Sequence, residues 1–329
     1  MHLQKIGSFM YKLISLLFIF TCLNSSKIYA QKFIEKFYNE NMKEVVSSDQ
    51  ARFYSISNST DSGWYTKTYL LTLNKLQMLG LFEDKKNTIK NGHFYWFYPD
   101  GKIKTICKYV HNQKEGVWLQ YYSDGSLQDS FNYKNGNLNG ISLSWYRNGY
   151  PKDSFSFNRN GSGISVSWFD NGRPSAAGRY IGFDKQNGLW KYYHKNGNPS
   201  AIELYENGVL KDKQYFNEDG NPADTSVHDE EAKFPGGDKG WSKYISHQLY
   251  FPPNYEFKNS FITSVVVTGT VNEDGQVIDA EVTVPLHPEF DKIALNAVKK
   301  SPKWIPAESH NRHIYYYFTQ TVTFLQSGY

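Results

Sequence analysis

The stretch from Gly116 to Gly125 reads Gly-Val-Trp-Leu-Gln-Tyr-Tyr-Ser-Asp-Gly, and it decides the fold because its pattern recurs along the chain. Segments of the form glycine, eight residues, glycine start at Gly92, Gly116, Gly140, Gly163 and Gly188. Successive starts lie 24, 24, 23 and 25 residues apart, and each second glycine follows Asp or Asn. A period of this length indicates an array of stacked supersecondary units.

The dipeptides that end these segments predict one β-hairpin in each repeat. They are Asp100-Gly101, Asp124-Gly125, Asn148-Gly149, Asn171-Gly172 and Asn196-Gly197. Such pairs favour type I′ turns, in which both central residues have positive φ. Further turns at Asn135-Gly136, Asn160-Gly161 and Asn207-Gly208 divide the repeats into two strands and two turns. The sequence therefore predicts an antiparallel meander over residues 31–220, with a degenerate sixth copy from Lys211 to Gly220.

Alternation along the first strand of each repeat predicts which face is buried. Odd offsets from the leading glycine in the second, third and fourth repeats are apolar, and we expect them to face the core; they are Val117, Leu119, Tyr121, Ile141, Leu143, Trp145, Ile164, Val166 and Trp168. Even offsets are mostly polar, apart from one aromatic residue beside each turn. That face is expected to be the exposed one.

The pattern Gly-x-Trp-x-x-Tyr-Tyr-x-Asp-Gly at Gly116 to Gly125 resembles the variant MORN repeat, which also occurs in proteins described as antitoxins. The resemblance covers roughly half of the chain. It implies an interaction scaffold with a protein partner. Export of the chain, which the N-terminal sequence predicts, disfavours a cytoplasmic antitoxin role.

The aromatic residues beside the turns form a row with two interpretations. As a candidate binding site, the row offers ring faces for stacking a glycan or a peptide; its members are Tyr98, Tyr122, Tyr146 and Phe169, followed by His194. As a structural feature, aromatic residues facing one another on neighbouring strands stabilise a sheet by roughly 0.2 to 1 kcal/mol per pair. The structural interpretation is favoured.

The last hundred residues have a different pattern. Residues 221–231 are polar and read as a linker, which leaves 232–329 as a separate module. Trp241, Tyr244, Ile245 and Leu249 fall at helical spacing, and so does the stripe that begins at Phe290; that stripe comprises Phe290, Ile293, Ala294, Ala297 and Val298. Strands are predicted from Ile262 to Val271, from Val277 to Val284 and from His313 to Leu325.

This order of elements carries the landmarks Phe234-Pro235-Gly236-Gly237, Asp274-Gly275, His287-Pro288 and Pro302-Lys303-Trp304. In combination they resemble the TonB C-terminal domain over about 230–325. The resemblance implies β-augmentation, in which a partner segment pairs with an exposed edge strand. The implied partner is a protein, either an outer-membrane TonB-dependent transporter or another envelope protein, and a homodimer through the same edge is the alternative. The candidate edge residues are His313, Ile314, Tyr315, Tyr316, Tyr317, Phe318, Thr319, Gln320, Thr321 and Val322.

The N-terminus reads as an export signal over residues 1–30. Lys5 and Lys12 precede an apolar run from Leu13 to Leu23, which is too short to span a bilayer, and Ala30 offers a cleavage site. Together with the resemblance above, this predicts the periplasm or cell envelope of a Gram-negative bacterium; a retained anchor is the alternative. Loss of 1–30 removes three lysines and no acidic residue, so the net charge falls from +4 to +1, which argues against nucleic acid as a partner. One cysteine, Cys107, then remains, so no intramolecular disulfide can form.

No catalytic or cofactor motif is present. The chain contains no Gly-x-Ser-x-Gly elbow, phosphate loop or nucleotide fingerprint, and His310 and His313 are expected in a solvated loop rather than at a metal. We therefore expect an α+β protein without cofactor or metal: an all-β array of antiparallel hairpin repeats followed by a small α+β module. Its expected role is an exported binding or adaptor protein, accessory to TonB-dependent transport. The rivals are an envelope scaffold that binds a glycan or a protein through the aromatic row and, more remotely, a hydrolase with an unrecognised site.

Overall fold

The computed structural model describes residues 33–182, 184–226, 229–256 and 262–326, so the predicted export signal lies outside the described residues. In these ranges no helix has the length and hydropathy needed to cross a membrane. Two α-helices are present among the described residues, α1 (Gly237–Gln248) and α2 (Pro288–Lys299). The remainder is mostly antiparallel sheet. This confirms the predicted fold class, a hairpin array followed by a small α+β region.

The array consists of a single antiparallel sheet of 18 strands. From β3 to β9 and from β11 to β18 each strand pairs with the next one along the chain, and β9 pairs with both β10 and β11. The strands are β1 (Phe33–Tyr38), β2 (Glu44–Val45), β3 (Phe53–Thr60), β4 (Gly63–Leu70), β5 (Lys75–Phe82), β6 (Lys90–Phe97), β7 (Ile103–Val110), β8 (Gln113–Tyr121), β9 (Leu127–Lys134), β10 (Asn137–Leu138), β11 (Gly140–Trp145), β12 (Pro151–Phe157), β13 (Gly163–Trp168), β14 (Pro174–Tyr180), β15 (Gln186–Tyr193), β16 (Pro199–Glu206), β17 (Val209–Phe216) and β18 (Pro222–Ala223).

The Asp-Gly and Asn-Gly turns differ from the predicted type I′. At Asp124-Gly125 only the glycine has positive φ, at 95°. The Gly125 N–H donates to the Tyr122 carbonyl at 2.9 Å, and the Tyr122 N–H donates to the Ser126 carbonyl at 2.9 Å. This is a type I turn followed by one left-handed glycine, which inserts a bulge into the hairpin. Both residues are left-handed at Asn135-Gly136 and Asn207-Gly208, as a type I′ turn requires.

The prediction of the buried face was wrong. Val117, Ile141 and Ile164, at odd offsets, are 57%, 65% and 54% exposed, whereas Trp118 and Ser142 at even offsets are buried. The reason lies in the second strands, whose aromatic residues occupy the even face between small residues of the first strands. Phe155, for example, pairs with Ser142 on one side and with Ser165 on the other.

Aromatic packing on this face also requires a residue without a side chain at position 178. The Trp190 ring of the neighbouring strand lies over Gly178, and a Cβ added at Gly178 would lie 2.0 Å from that ring. Trp190 is 4% exposed, and its indole N–H donates to the Arg179 carbonyl at 3.1 Å. Cys107 is buried in a second aromatic cluster, with Phe82, Phe94 and Trp118, and burial raises the pKa of its thiol to about 12.

The C-terminal module is a three-stranded sheet in the order β20-β19-β23 with α1 and α2 packed against it. The stripe predicted for α2, from Phe290 to Val298, is buried at all five positions. The strands are β19 (Ile262–Val271), β20 (Val277–Val284) and β23 (Tyr316–Leu325), and a separate hairpin is formed by β21 (Ala307–Ser309) and β22 (Arg312–Ile314). The boundaries proposed for the linker, 221 and 231, stay a prediction.

Candidate binding surfaces

Strand β23 is an edge of the C-terminal sheet. It pairs with β19 over ten consecutive residues, from Tyr316 opposite Val271 to Leu325 opposite Ile262. Within the described ranges no strand pairs with its other side. Phe318 is buried toward the helices, whereas Tyr317 is 65% exposed on the opposite face. The edge therefore offers an unpaired row of main-chain groups, flanked on one face by exposed side chains.

The predicted edge residues do not all lie in this strand. The seven residues from Tyr316 to Val322 belong to β23, while His313 and Ile314 belong to β22. Tyr315 lies between the two strands, where its hydroxyl donates to Asp170 Oδ2 at 3.0 Å and its ring centroid is 5.4 Å from that of Tyr146. The single strand predicted from His313 to Leu325 is therefore divided, because Tyr315 is held against the array.

The aromatic row forms a ladder along the array. The hydroxyl groups of Tyr98, Tyr122 and Tyr146 donate to main-chain carbonyls of the following repeat, which belong to Tyr121, Trp145 and Trp168, at 2.7, 2.8 and 2.8 Å. His194 Nε2 is 2.8 Å from the Phe216 carbonyl oxygen. Tyr98, Tyr122 and Phe169 are less than 10% exposed. These contacts join each repeat to the next.

Phe169 lacks the hydroxyl that its ladder position would use, and the C-terminal module supplies the missing donor. The equivalent carbonyl in the next repeat is that of Tyr193, and Arg312 Nη1 donates to it at 3.1 Å. The Arg312 guanidinium also lies 5.2 Å above the centroid of the Phe169 ring. Burial lowers the pKa of Arg312 from its ordinary value.

Cations between the two modules cover other rings of the row. Lys104 Nζ lies 5.0 Å from the Tyr98 ring centroid and 2.8 Å from Glu281 Oε1 on β20. The Arg147 guanidinium lies 4.6 Å from the ring centroid of the next tyrosine along the row, and its Nε is 2.7 Å from Asp279 Oδ1. The array and the C-terminal sheet are thus joined by ion pairs directly over the predicted stacking surface.

The tip of the β21–β22 hairpin is inserted into the last repeats. The His310 ring stacks on Tyr192 with a centroid distance of 3.6 Å, and its Nδ1 is 2.9 Å from Glu203 Oε1. Glu203 is only 1% exposed and accepts a further bond from the Tyr205 hydroxyl at 2.6 Å. The prediction that His310 lies in a solvated loop was wrong, because the docking of the modules brings these groups together.

A cavity of about 260 Å³ lies between the array and the C-terminal sheet. Array residues that line it include Gln120, Gln128 and Lys152, and residues of the C-terminal module include Thr270 and Tyr317. Thr270 and Tyr317 are paired across β19 and β23. The cavity therefore lies beneath the first residues of the edge strand.

Sequence patterns alone did not identify the residues that join the modules. The one available signal was at Glu203, a charged residue in alternation with Ala201 and Tyr205 along β16. Such a position on a strand faces the same side as its apolar neighbours, so a buried carboxylate there needs a hydrogen-bond donor or a cation beside it.

Two family models match the chain. The model described as the Gram-negative bacterial TonB protein C-terminal matches residues 258–325, and the MORN repeat variant matches residues 90–111, 114–135 and 186–207. Searching the curated proteins gave no match. The matched ranges fall on β19 to β23 in the first case and on the hairpin array in the second.

Proposed function

This chain joins variant MORN repeats to a TonB C-terminal domain, and we propose that the protein is an envelope adaptor that captures a partner segment as a strand added to β23. The C-terminal domain indicates a role in the Gram-negative envelope, and the repeats indicate binding. The partner in this proposal is a protein, with an outer-membrane TonB-dependent transporter as the first candidate. Export to the periplasm and the absence of enzymatic activity are parts of the same proposal.

One observation carries the proposal. β23 has ten residues in register with β19, so its backbone is held extended along its length, and its other side is unpaired in the described residues. Main-chain groups held in this way bind an extended peptide with little ordering cost to the protein. A second copy of the chain could use the same edge, and the experiment below distinguishes the two through the oligomeric state.

The glycan-binding alternative has little support from the aromatic row. Tyr98, Tyr122 and Phe169 are buried, the two tyrosines donate to carbonyls, and cations of both modules lie over the rings. A sugar stacks on a ring only where its face is open to solvent. We therefore assign the row to the architecture of the array.

Proline substitution at consecutive positions tests strand capture. Successive residues of a strand direct their N–H groups to opposite sides, so of Thr319 and Gln320 one donates toward β19 and the other outward. Proline at the outward position should leave the protein folded and weaken partner binding by about tenfold or more, because it removes a donor and adds a bulky ring at the edge. Proline at the other position should lower the melting temperature.

Alanine at the same two positions is the matched control, since it keeps both N–H groups. Circular dichroism and thermal melts of the full chain identify the folded proline variant. The probe is a synthetic peptide from the envelope protein that crosslinking in intact cells recovers on the parent. Equal binding of this peptide by the parent and the folded proline variant contradicts strand capture. Loss of a dimer in the proline variant, with no peptide bound by the parent, assigns the edge to self-association instead.

A further inference from the structure

Lys152 occupies the same place in the third repeat that Lys104 occupies in the first. In each hairpin the register shifts after the turn and leaves one extra residue: Lys104 between Ile103 and Thr105, and Lys152 between Pro151 and Asp153. Both extra residues line the cavity beneath the edge strand. The two lysines are therefore equivalent cations on one face of the array, two repeats apart.

Their electrostatic environments differ. Lys104 forms an ion pair with Glu281 at 2.8 Å, whereas no carboxylate of the described residues lies within 4 Å of Lys152 Nζ. The array's own acids in this region, Asp129 and Asp153, accept hydrogen bonds from the hydroxyls of Ser144 and Ser167. The charge of Lys152 offsets part of the burial effect that raises the pKa of Asp129. Half-buried Lys152 nevertheless forms no ion pair within 4 Å in the described residues, whereas the other cations of the cavity, Lys104 and Arg147, do.

The position of the cavity relative to β23 indicates where a partner carboxylate would come from. Thr270 and Tyr317 line the cavity from neighbouring strands, and a strand added to β23 would lie about 4.8 Å beyond Tyr317. Its side chains opposite Tyr317 would share the face that looks toward the array. Gln120 and Gln128 add amide donors to the same wall.

Building on the proposed strand capture, we infer that the array forms the second wall of the binding groove and that Lys152 selects a captured strand with an Asp or Glu side chain near Tyr317. The main chain of the partner pairs with β23, which supplies affinity without sequence preference. The carboxylate enters the cavity and pairs with the Lys152 ammonium, with the two glutamine amides as further donors. The repeats thereby determine which segment the C-terminal domain accepts.

A displayed library of random ten-residue peptides tests this inference. The library is selected on the immobilised full chain in four forms: the parent, Lys152→Gln, Lys152→Glu and Lys191→Gln. Lys191 is an exposed lysine on the opposite face of the array and serves as the matched control. Peptides selected on the parent and on Lys191→Gln should share an acidic residue at one position of the strand. Lys152→Gln should lose this preference, and Lys152→Glu should replace it with Lys or Arg.

One selected peptide and its Glu-to-Gln counterpart are then titrated with blocked termini. The counterpart should bind the parent roughly fivefold to tenfold more weakly, and the two peptides should bind Lys152→Gln equally. Peptides without a preferred acidic position, or a Glu-to-Gln difference that persists in Lys152→Gln, overturn the inference while strand capture stands. Two results overturn both the inference and strand capture: recovery of the same peptides by the folded proline variant of β23, or failure of the parent to recover any peptide.

Discussion

Replacing His310 with alanine is expected to destabilise the protein by about 3 kcal/mol, because it leaves the buried Glu203 carboxyl group without the ring nitrogen that contacts it at 2.9 Å. Glu203 is 1% exposed, and His310 also loses its stacking on Tyr192. Urea denaturation of the full chain, followed by tryptophan fluorescence, measures the change. Since the tip of the hairpin fixes β22 and thereby the start of β23, the variant should also bind a β23 ligand more weakly.

Glu203→Gln is the control for this effect. The amide keeps an oxygen that can accept a hydrogen bond from the Tyr205 hydroxyl, but it carries no charge that could be left unpaired. His310→Ala should therefore cost much less in the Glu203→Gln background. Equal costs of His310→Ala in the two backgrounds would show that the contact between His310 and the Glu203 carboxyl group contributes nothing.

The same pair predicts a pH dependence. Burial opposes ionisation of Glu203, but hydrogen bonds from His310 and Tyr205 outweigh it and lower the pKa of the carboxyl below its ordinary value of 4.5. A lowered folded-state pKa stabilises the protein above the unfolded-state pKa, and this contribution is lost as the pH falls through the folded-state value. The contribution of the Glu203 carboxylate should therefore be fully present above about pH 4.5, and the stability difference between the parent and Glu203→Gln should shrink as the pH falls further. A difference that grows on acidification contradicts the assignment.

Gly178→Ala is expected to cost about 3 kcal/mol, near the upper end for overpacking, because its methyl group would overlap the Trp190 ring. The new Cβ would lie 2.0 Å from a ring atom, and Trp190 can move only by giving up its burial and its bond to the Arg179 carbonyl. Thermal and urea unfolding of the full chain measure the loss.

Gly149→Ala separates steric overlap from backbone strain. Gly149 has φ of 87° with no atom within 4 Å of an added Cβ, so alanine there should cost only about 1 to 2 kcal/mol of left-handed strain. In a Trp190→Ala background the overlap at Gly178 disappears, and Gly178→Ala should become nearly neutral. A penalty that persists without the Trp190 ring would assign the effect to the backbone.

Local patterns predicted the hairpins and the apolar stripe of α2, because turn residues and helical spacing act within a few residues of each other. The buried face of the array could not be predicted in this way. Ile141 looked like a core residue beside Ser142, yet the structure buries the serine because Phe155 from the next strand lies next to it. Burial in a single-layer sheet depends on cross-strand neighbours, and alternation within one strand does not report them.

Local sequence patterns could not predict the contacts between the modules either. Arg312 reaches the Tyr193 carbonyl across 119 residues of sequence, and Lys104 reaches Glu281 across 177. Neither pair has a spacing that a strand or a helix would bring together. The division of the predicted strand at Tyr315 has the same origin, since Asp170 and Tyr146 hold that residue against the array.

The ladder position at Phe169 has a consequence for how the chain matures. Each of the three ladder tyrosines donates to a carbonyl in the repeat that follows it. The donor to the Tyr193 carbonyl is instead Arg312, which is synthesised more than a hundred residues later. A nascent array emerging from the N-terminal side can therefore form each tyrosine contact as the next repeat appears, while the contact to the Tyr193 carbonyl forms only after Arg312 has been synthesised. Chains truncated before Arg312 lack the donor to the Tyr193 carbonyl, so a residue of the C-terminal module completes the hydrogen bonding between two repeats of the array.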